Sequence, residues 1–138
     1  MSRYEVTGTS QPGGRATLDL FGRALRVDAA ADRDLVHPGP AELLCGALAA
    51  CLLKNVERFS DMLPFEYDGA RVHVAAERQD SPPRFTRFTY RLELVTHEPE
   101  RRVELLHKNI RKYGTVSGTL GLAAEVVGEL VVEESLDD

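Results

Sequence analysis

The chain has 138 residues, of which 43% are hydrophobic and 28% are charged, and its formal net charge is −5. This length suits one domain with its own core, and the acidic balance argues against a nucleic-acid partner. No apolar run approaches the roughly 20 residues that span a bilayer, and the N-terminal stretch MSRYEVTGTS lacks the apolar segment of a signal peptide. We therefore predict a single domain over residues 1–138 with no membrane segment.

In the first part of the chain the pattern predicts three short strands. Polar and apolar residues alternate over Tyr4–Thr9 and again over Arg15–Leu20, with a glycine-rich turn at Gln11–Gly14 between them. A second tight turn at Phe21–Arg23 leads to a third strand, Ala24–Val27. These three strands are predicted to form an antiparallel meander.

A long helix is predicted from Ala41 to about Asp61. Pro40 suits the first turn, where its missing N–H costs nothing, and Glu42 complements the helix N-terminus. The segment Leu43–Leu53 is apolar on every side, so we expect burial all round. If the strands form one sheet, a sheet face and a second helix leave this segment partly uncovered. Either a partner subunit or packing within one subunit then completes the burial.

The second half of the chain has the pattern of two strands, an amphipathic helix and a last strand. Apolar residues at spacings of three and four from Val103 to Tyr113 indicate the helix, which Pro99 opens and Gly114 ends. The remaining predicted ranges are Ala70–Arg78 and Phe85–Thr96 for strands, Thr115–Leu120 for a short extra turn, and Leu122–Glu133 for the last strand. The fold class is therefore α+β.

Two cysteines, Cys45 and Cys51, lie within the apolar part of the first helix. Six residues of helix advance about 9 Å and turn the two side chains about 120° apart, which prevents a direct disulfide without unwinding. Two cysteines are also too few for a disulfide framework, so we expect reduced thiols and a cytoplasmic protein.

Two segments carry a motif that can be compared with a known family. They are Gly39–Leu44 (GPAELL) followed by Ala47–Cys51 (ALAAC), and later Lys112–Ser117 (KYGTVS). With the order of elements, they resemble the OsmC/Ohr family, named after osmotically induced protein C and the organic hydroperoxide resistance proteins. The resemblance spans nearly the whole chain. It implies antiparallel sheets wrapped around central helices in an intertwined homodimer, with active sites at the subunit interface.

The resemblance also implies a thiol chemistry. In active members, a cysteine on the central helix attacks the peroxide O–O bond, and a second cysteine resolves the sulfenic acid to a disulfide. Cys51 matches the first position, whereas Gly114 occupies the second and Thr115 replaces the proline that follows it. The resemblance therefore implies a nucleophile without its internal resolving partner.

A carboxylate and an arginine complete the site that the resemblance implies. In the hydroperoxide reductases a Glu ten residues before the reactive Cys orients an Arg, and here that position is Ala41. Glu42 instead matches the Glu of other branches of the family. Arg15, in a Gly-Gly-Arg segment, corresponds to the activating arginine, and Arg33 is a second candidate. The predicted catalytic residues are Cys51, Arg15 and Glu42.

The residues alone leave the role of Cys51 open. A buried cysteine usually behaves as a small hydrophobe, and a reactive thiolate needs a cation or a helix N-terminus close by. Cys51 lies about three turns into its helix, beyond the reach of the dipole. Lys54 and Asn55 could reach the same face, and Arg15 could approach from a partner chain.

Three hypotheses follow for the function. The first is a peroxiredoxin-like one-cysteine thiol peroxidase of the oxidative stress response, in which Cys51 reduces an organic hydroperoxide and an external thiol regenerates it. The second is a non-catalytic homodimer that binds a small apolar ligand at the subunit interface, and the third is a purely structural dimer. We predict no cofactor and no metal, since the four histidines lack ligand spacing.

Overall fold

The structure, a computed structural model, describes residues 2–137. These residues form two compact units that divide between Leu44 and Cys45. The single domain that we expected over residues 1–138 stays a prediction.

The first unit contains a three-stranded antiparallel meander. Strand β1 (Thr7–Gln11) pairs with β2 (Arg15–Leu20), and β2 pairs with β3 (Arg23–Asp28). The meander is as predicted, but β1 begins three residues after Tyr4 because its pairing with β2 extends only from the Gln11↔Arg15 pair to Thr7↔Asp19.

Glycine makes the turn between β1 and β2 possible. Gly13 and Gly14 have φ angles of 96° and 82°, which residues with a Cβ rarely adopt. A Cβ on Gly14 would also collide with the backbone of Ala29 and Ala30. The hairpin thus holds the following loop close to its turn.

Two aspartates shape the loop that follows β3. Asp28 accepts hydrogen bonds from the backbone N–H groups of Ala30 and Asp34, at 2.9 and 3.0 Å. Asp34 accepts from the N–H groups of Val36 and His37, at 2.8 and 2.9 Å. These backbone bonds to His37 and Val36 lower the pKa of Asp34 to about 2. The loop therefore reaches the first helix in a fixed conformation.

Helix α1 spans Pro40–Met62 and is the longest helix described. One face is buried, and its members are Leu48, Leu52, Asn55, Val56, Phe59 and Ser60. Another face is exposed and consists of Gly46, Ala47, Ala50 and Leu53. One chain therefore does not complete the burial that we expected on every side of this segment, and its completion by a partner subunit stays a prediction.

The second unit contains a separate three-stranded sheet in the order β4 (Gly69–Asp80), β5 (Pro83–Val95) and β6 (Glu125–Val132). Strands β4 and β5 are antiparallel, but β6 is parallel to β5. Between them lie α2 (Glu100–Tyr113) and the short α3 (Thr115–Leu120). The α+β class is confirmed. The two sheets agree with the fold that the resemblance implies, but the pairing is not wholly antiparallel. The helices carry the chain back so that β6 runs in the same direction as β5.

The core of the second unit combines α1, β5 and α2. Inward residues of β5 alternate as predicted, and those of α2 recur at spacings of three and four. The buried residues of these two elements are Phe88, Tyr90, Leu92, Leu94, Val103, Leu106 and Ile110. Tyr113, at the end of α2, is half exposed. In the part of the chain that the structure describes, no helix is both long and apolar enough to cross a membrane.

Candidate active site

The first turn of α1 carries a charged cluster around Glu42. One carboxylate oxygen of Glu42 accepts the backbone N–H of Gly39 at 2.9 Å, as the acidic member of a capping box does. The other accepts from the guanidinium of Arg33 at 3.2 Å. Both side chains are exposed, at 68% for Arg33 and 47% for Glu42, so this ion pair contributes little to stability.

Arg15, the other arginine predicted for the site, opens strand β2. Its guanidinium donates to the side-chain carbonyl of Gln11 at 3.3 Å. Within the first unit, Glu42 therefore pairs with Arg33, the second candidate, and Arg15 contacts a neutral amide on the neighbouring strand.

Cys51 lies in the second unit and is half-buried. Asn55, one helical turn later and only 7% exposed, donates from its amide nitrogen to the Cys51 backbone carbonyl at 2.8 Å. The same nitrogen lies 3.5 Å from Cys51 Sγ, within hydrogen-bonding range of sulfur. The expectation that Asn55 reaches this face is confirmed. The donor at the sulfur within this unit is thus a buried neutral amide.

Gly114, between α2 and α3, lies against the same sulfur. It is buried and has an extended backbone with φ −69° and ψ 123°, which any residue adopts. A Cβ at this position would be 3.5 Å from Cys51 Sγ and 3.2 Å from the carbonyl of Ile110, and it would collide with Ser117 Oγ. The position that the resemblance assigns to a resolving cysteine is therefore adjacent to Cys51 in space.

A second polar cluster joins β5 to α2. The hydroxyl of Tyr90 and Nε2 of His107 are 2.6 Å apart, and the two rings meet edge to face with centroids 5.8 Å apart. Burial raises the pKa of Tyr90 and lowers that of His107, and the positive charge of Arg111 lowers both. Gly128, opposite Tyr90 in the parallel register, makes room for the ring, because a Cβ there would overlap it.

A cavity of about 280 Å³ opens beside this cluster. Its lining residues are Leu52, Tyr90, Arg111, Ser117, Gly121, Ala124, Glu125 and Val126. One signal in the sequence points to it: Tyr90 lies on the apolar face of the alternating pattern over Phe85–Thr96, and a buried tyrosine needs a partner for its hydroxyl. The partner, His107, could not be identified, because helix spacing does not determine which helical residue meets a given strand position.

Metal chemistry has no evident ligand set here. Among residues 2–137, no group of three or more His, Cys, Asp or Glu side chains is arranged to hold a metal ion.

The fold and the motif around Cys51 together define a family. The family model described as "OsmC-like protein" matches residues 30–128, and the chain therefore belongs to the OsmC-like family. A search of curated protein sequences finds no significant match.

Solved structures agree with the family assignment. An OsmC-like protein from Mycoplasma pneumoniae is 15% identical, with a TM-score of 0.86 over 95% of this chain and 97% of that one. An organic hydroperoxide resistance protein OsmC from Legionella pneumophila is 15% identical, with a TM-score of 0.71 over 96% and 99%. The organic hydroperoxide resistance protein OhrB of Bacillus subtilis is 19% identical, with a TM-score of 0.66 over 93% and 98%. At these identities the likeness concerns the fold.

Proposed function

We propose that this chain is a one-cysteine thiol peroxidase that reduces organic hydroperoxides through Cys51 and is regenerated by an external thiol. The observation that carries the proposal is the setting of Cys51. Cys51 is half-buried, and its sulfur lies 3.5 Å from the buried amide nitrogen of Asn55 and faces Gly114. Structural relatives named as organic hydroperoxide resistance proteins add support.

The reaction proceeds in two balanced stages. The Cys51 thiolate attacks one peroxide oxygen, the O–O bond breaks, and the alkoxide leaves and takes a proton to become an alcohol. The sulfur is oxidised to a sulfenic acid. One external thiol then forms a mixed disulfide and releases water, and a second thiol releases Cys51 as a thiol with an external disulfide as the oxidised product.

Asn55 is the group that touches the reacting sulfur in this proposal. Its N–H can donate to the thiolate before the attack and to the sulfenate afterwards, and hydrogen bonds to a charged group are stronger than neutral ones. The amide is already fixed by its 2.8 Å bond to the Cys51 carbonyl, so little ordering is needed when the thiolate forms.

We propose that Glu42 and Arg15 are positioning residues. The ion pair of Glu42 with Arg33 supports a carboxylate that holds a guanidinium, as the resemblance implies. Arg33 is then the arginine that Glu42 orients, and Arg15 is the arginine that a partner chain would supply.

The proposed active form is a homodimer in the cytoplasm, where thiol reductants keep cysteines reduced. Its support is the exposed apolar stripe of α1, formed by Gly46, Ala47, Ala50 and Leu53, whose small residues allow close helix packing. Changing Ala50 to Arg would place a charge in that contact, and we expect light scattering to show a monomer. A variant that stays dimeric would place the interface elsewhere.

Turnover with matched cysteine variants tests the peroxidase proposal. We expect the protein to consume cumene hydroperoxide in the presence of dithiothreitol, Cys51→Ser to lose this activity, and Cys45→Ser to keep it. Dimedone added after one equivalent of hydroperoxide should label Cys51, as read by peptide mass spectrometry. Equal rates in Cys51→Ser and the parent protein would overturn the proposal.

The alternative is a non-catalytic dimer that binds a small apolar ligand at the subunit interface. The exposed apolar stripe of α1 and the absence of a resolving cysteine at Gly114 favour it. Native mass spectrometry separates the two functions, since a ligand that co-purifies equally with the parent protein and with Cys51→Ser would favour binding over catalysis.

A further inference from the structure

The cavity beside Tyr90 and His107 has no role in the chemistry proposed above. The two charged residues that line it, Glu125 and Arg111, differ in their partners. Glu125 faces Arg87 at 3.9 Å, so its negative charge has a counterpart. Arg111 interacts electrostatically with Tyr90 and His107, and within the described part of the chain it has no carboxylate partner.

Tyr90, another polar residue of the cavity lining, pairs with His107. The 2.6 Å contact joins the Tyr90 hydroxyl to His107 Nε2, and either group can be the donor, depending on the tautomer of the imidazole. Burial and the positive charge of Arg111 both lower the pKa of His107, which favours the uncharged imidazole. Among the described residues that line this cavity, two are charged: Arg111, which has no ion pair, and Glu125, whose carboxylate lies 3.9 Å from Arg87 in a solvent-exposed pair.

The remaining walls are small or apolar. Leu52, Ala124 and Val126 supply hydrocarbon surface, and the volume of about 280 Å³ lies at the low end for ligand pockets. An apolar wall next to a single guanidinium suits a compact molecule with an apolar body and one anionic end, because Arg binds carboxylates in a bidentate manner.

We propose that this cavity binds a small organic carboxylate, with the carboxylate on Arg111 and the apolar body against Leu52 and Val126. The site adjoins the thiol: Ser117 lines the cavity, and its hydroxyl occupies the space next to Gly114, which faces Cys51. The binding itself is independent of the peroxidase proposal. The role of this binding rests on the peroxidase proposal, since either the hydroperoxide or the external thiol would carry the carboxylate.

Binding of benzoate, compared with its neutral analogue benzamide, tests the site. We expect benzoate to shift the NMR signals of Arg111, Tyr90 and His107 in a saturable way, and benzamide to bind at least tenfold more weakly. The matched control is Arg101→Gln, which removes the same charge from an exposed position near the start of α2.

The expected outcome is a tenfold or greater loss of benzoate affinity in Arg111→Gln, none in Arg101→Gln, and none in Cys51→Ser. Partial recovery in Arg111→Lys would show that the charge, rather than altered packing, carries the effect. Equal affinity for benzoate and benzamide, or equal losses in Arg111→Gln and Arg101→Gln, would overturn the site. Because Cys51→Ser is inactive in the peroxidase proposal yet expected to bind, failure of one does not imply failure of the other.

Two kinetic arms then identify the source of the carboxylate. If the substrate carries it, Arg111→Gln raises KM for a carboxylate-bearing aryl hydroperoxide and leaves KM for cumene hydroperoxide unchanged. If the reductant carries it, the same variant raises KM for mercaptoacetate and leaves KM for 2-mercaptoethanol unchanged. If the enzyme is active and Arg111→Gln changes neither KM, this result would contradict a role of the cavity in binding the substrate or the reductant of Cys51.

Discussion

The first turn of α1 and the surroundings of Cys51 differ in charge and in exposure to solvent. At the first turn, Glu42 and Arg33 are both charged and well exposed, and the carboxylate also accepts the Gly39 N–H. Around Cys51 the groups are neutral and closely packed: Asn55 is 7% exposed, and Gly114 is buried.

This difference bears on what each group can do. An exposed ion pair is screened by water and gives about 1 kcal/mol or less. A buried amide is shielded from competing water, so its bond to a thiolate is stronger and its removal costs more. We therefore expect the largest effects on thiol chemistry from the buried neutral groups and smaller ones from the charged pair.

The largest effect is expected from Gly114→Cys. The backbone at this position accepts a side chain, and the Cβ lies 3.5 Å from Cys51 Sγ, so a thiol there can attack the sulfenate. One equivalent of cumene hydroperoxide should then give a disulfide between Cys51 and the introduced thiol, read as a loss of two hydrogens by intact mass. Dimedone labelling of Cys51 should disappear.

The control for this variant is Gly114→Ser, which has nearly the same size and cannot form a disulfide. Ser117→Ala as a background relieves the crowding with Ser117 Oγ and guards against misfolding. Dimedone labelling of Gly114→Cys at the level of Gly114→Ser would contradict the adjacency of this position to the thiolate.

The next effect is expected from Asn55→Leu, which removes the donor at the sulfur. A hydrogen bond to a charged group contributes about 1.5–3 kcal/mol, so oxidation of Cys51 by cumene hydroperoxide should slow by about 10- to 100-fold. Stopped-flow measurement of the second-order rate constant checks this, with iodoacetamide alkylation as a second readout.

Asn109→Leu is the matched control for Asn55→Leu. Asn109 makes the same kind of bond to the carbonyl four residues earlier, at 2.9 Å to Leu105, but on α2. We expect its variant to keep the oxidation rate. If both variants slow oxidation equally, the sulfur contact of Asn55 has no part in the chemistry.

A smaller effect is expected from Glu42→Gln, which removes the charge that faces Arg33 and keeps the ability to accept the Gly39 N–H. The free energy of unfolding should fall by about 1 kcal/mol or less. If Glu42 positions Arg33 for catalysis, Glu42→Gln and Arg33→Gln should slow oxidation by a similar factor of about five, and the double variant no further. If neither single variant changes the oxidation rate, Glu42 acts only as a cap of the helix.

The smallest effect concerns His107, whose pKa in the folded chain lies below its ordinary value of 6.5 because of burial and Arg111. The unfolded chain then binds the proton more strongly than the folded chain. The contribution of His107 to the free energy of unfolding is therefore fully present above pH 6.5 and is lost as the pH falls below that value. Urea unfolding at pH 7.5 and pH 5.5 should show a larger loss on acidification for the parent protein than for His107→Gln. The same loss in both would contradict this origin.

Most of the fold could be predicted because its signals are local. Alternation placed β2 and β5, and the three-and-four spacing placed α2 with Gly114 as its end. The parallel pairing of β6 could not be predicted, since alternation shows which face is buried but not which strand is the neighbour. What covers the exposed stripe of α1 could not be predicted for a related reason, because an apolar run does not say what packs on it.

In the candidate site, too, contacts within one helix could be predicted and contacts between distant elements could not. Asn55 was predicted to reach the face of Cys51 from helix spacing alone, and its contact with Sγ confirms this. The approach of Gly114 to Cys51 depends on how two distant elements pack, so only the family resemblance pointed to it. For the Tyr90–His107 pair, alternation pointed to Tyr90 alone, and no motif pointed to His107.

The rate at which hydroperoxide oxidises Cys51 tests the central claim most directly. Stopped-flow mixing of the Cys45→Ser variant with cumene hydroperoxide isolates this one thiol, and free cysteine at the same pH gives the reference. We expect Cys51 to react at least 100-fold faster than free cysteine and to form a sulfenic acid that dimedone traps. A rate equal to or below that of free cysteine would contradict the assignment of Cys51 as a peroxidatic nucleophile.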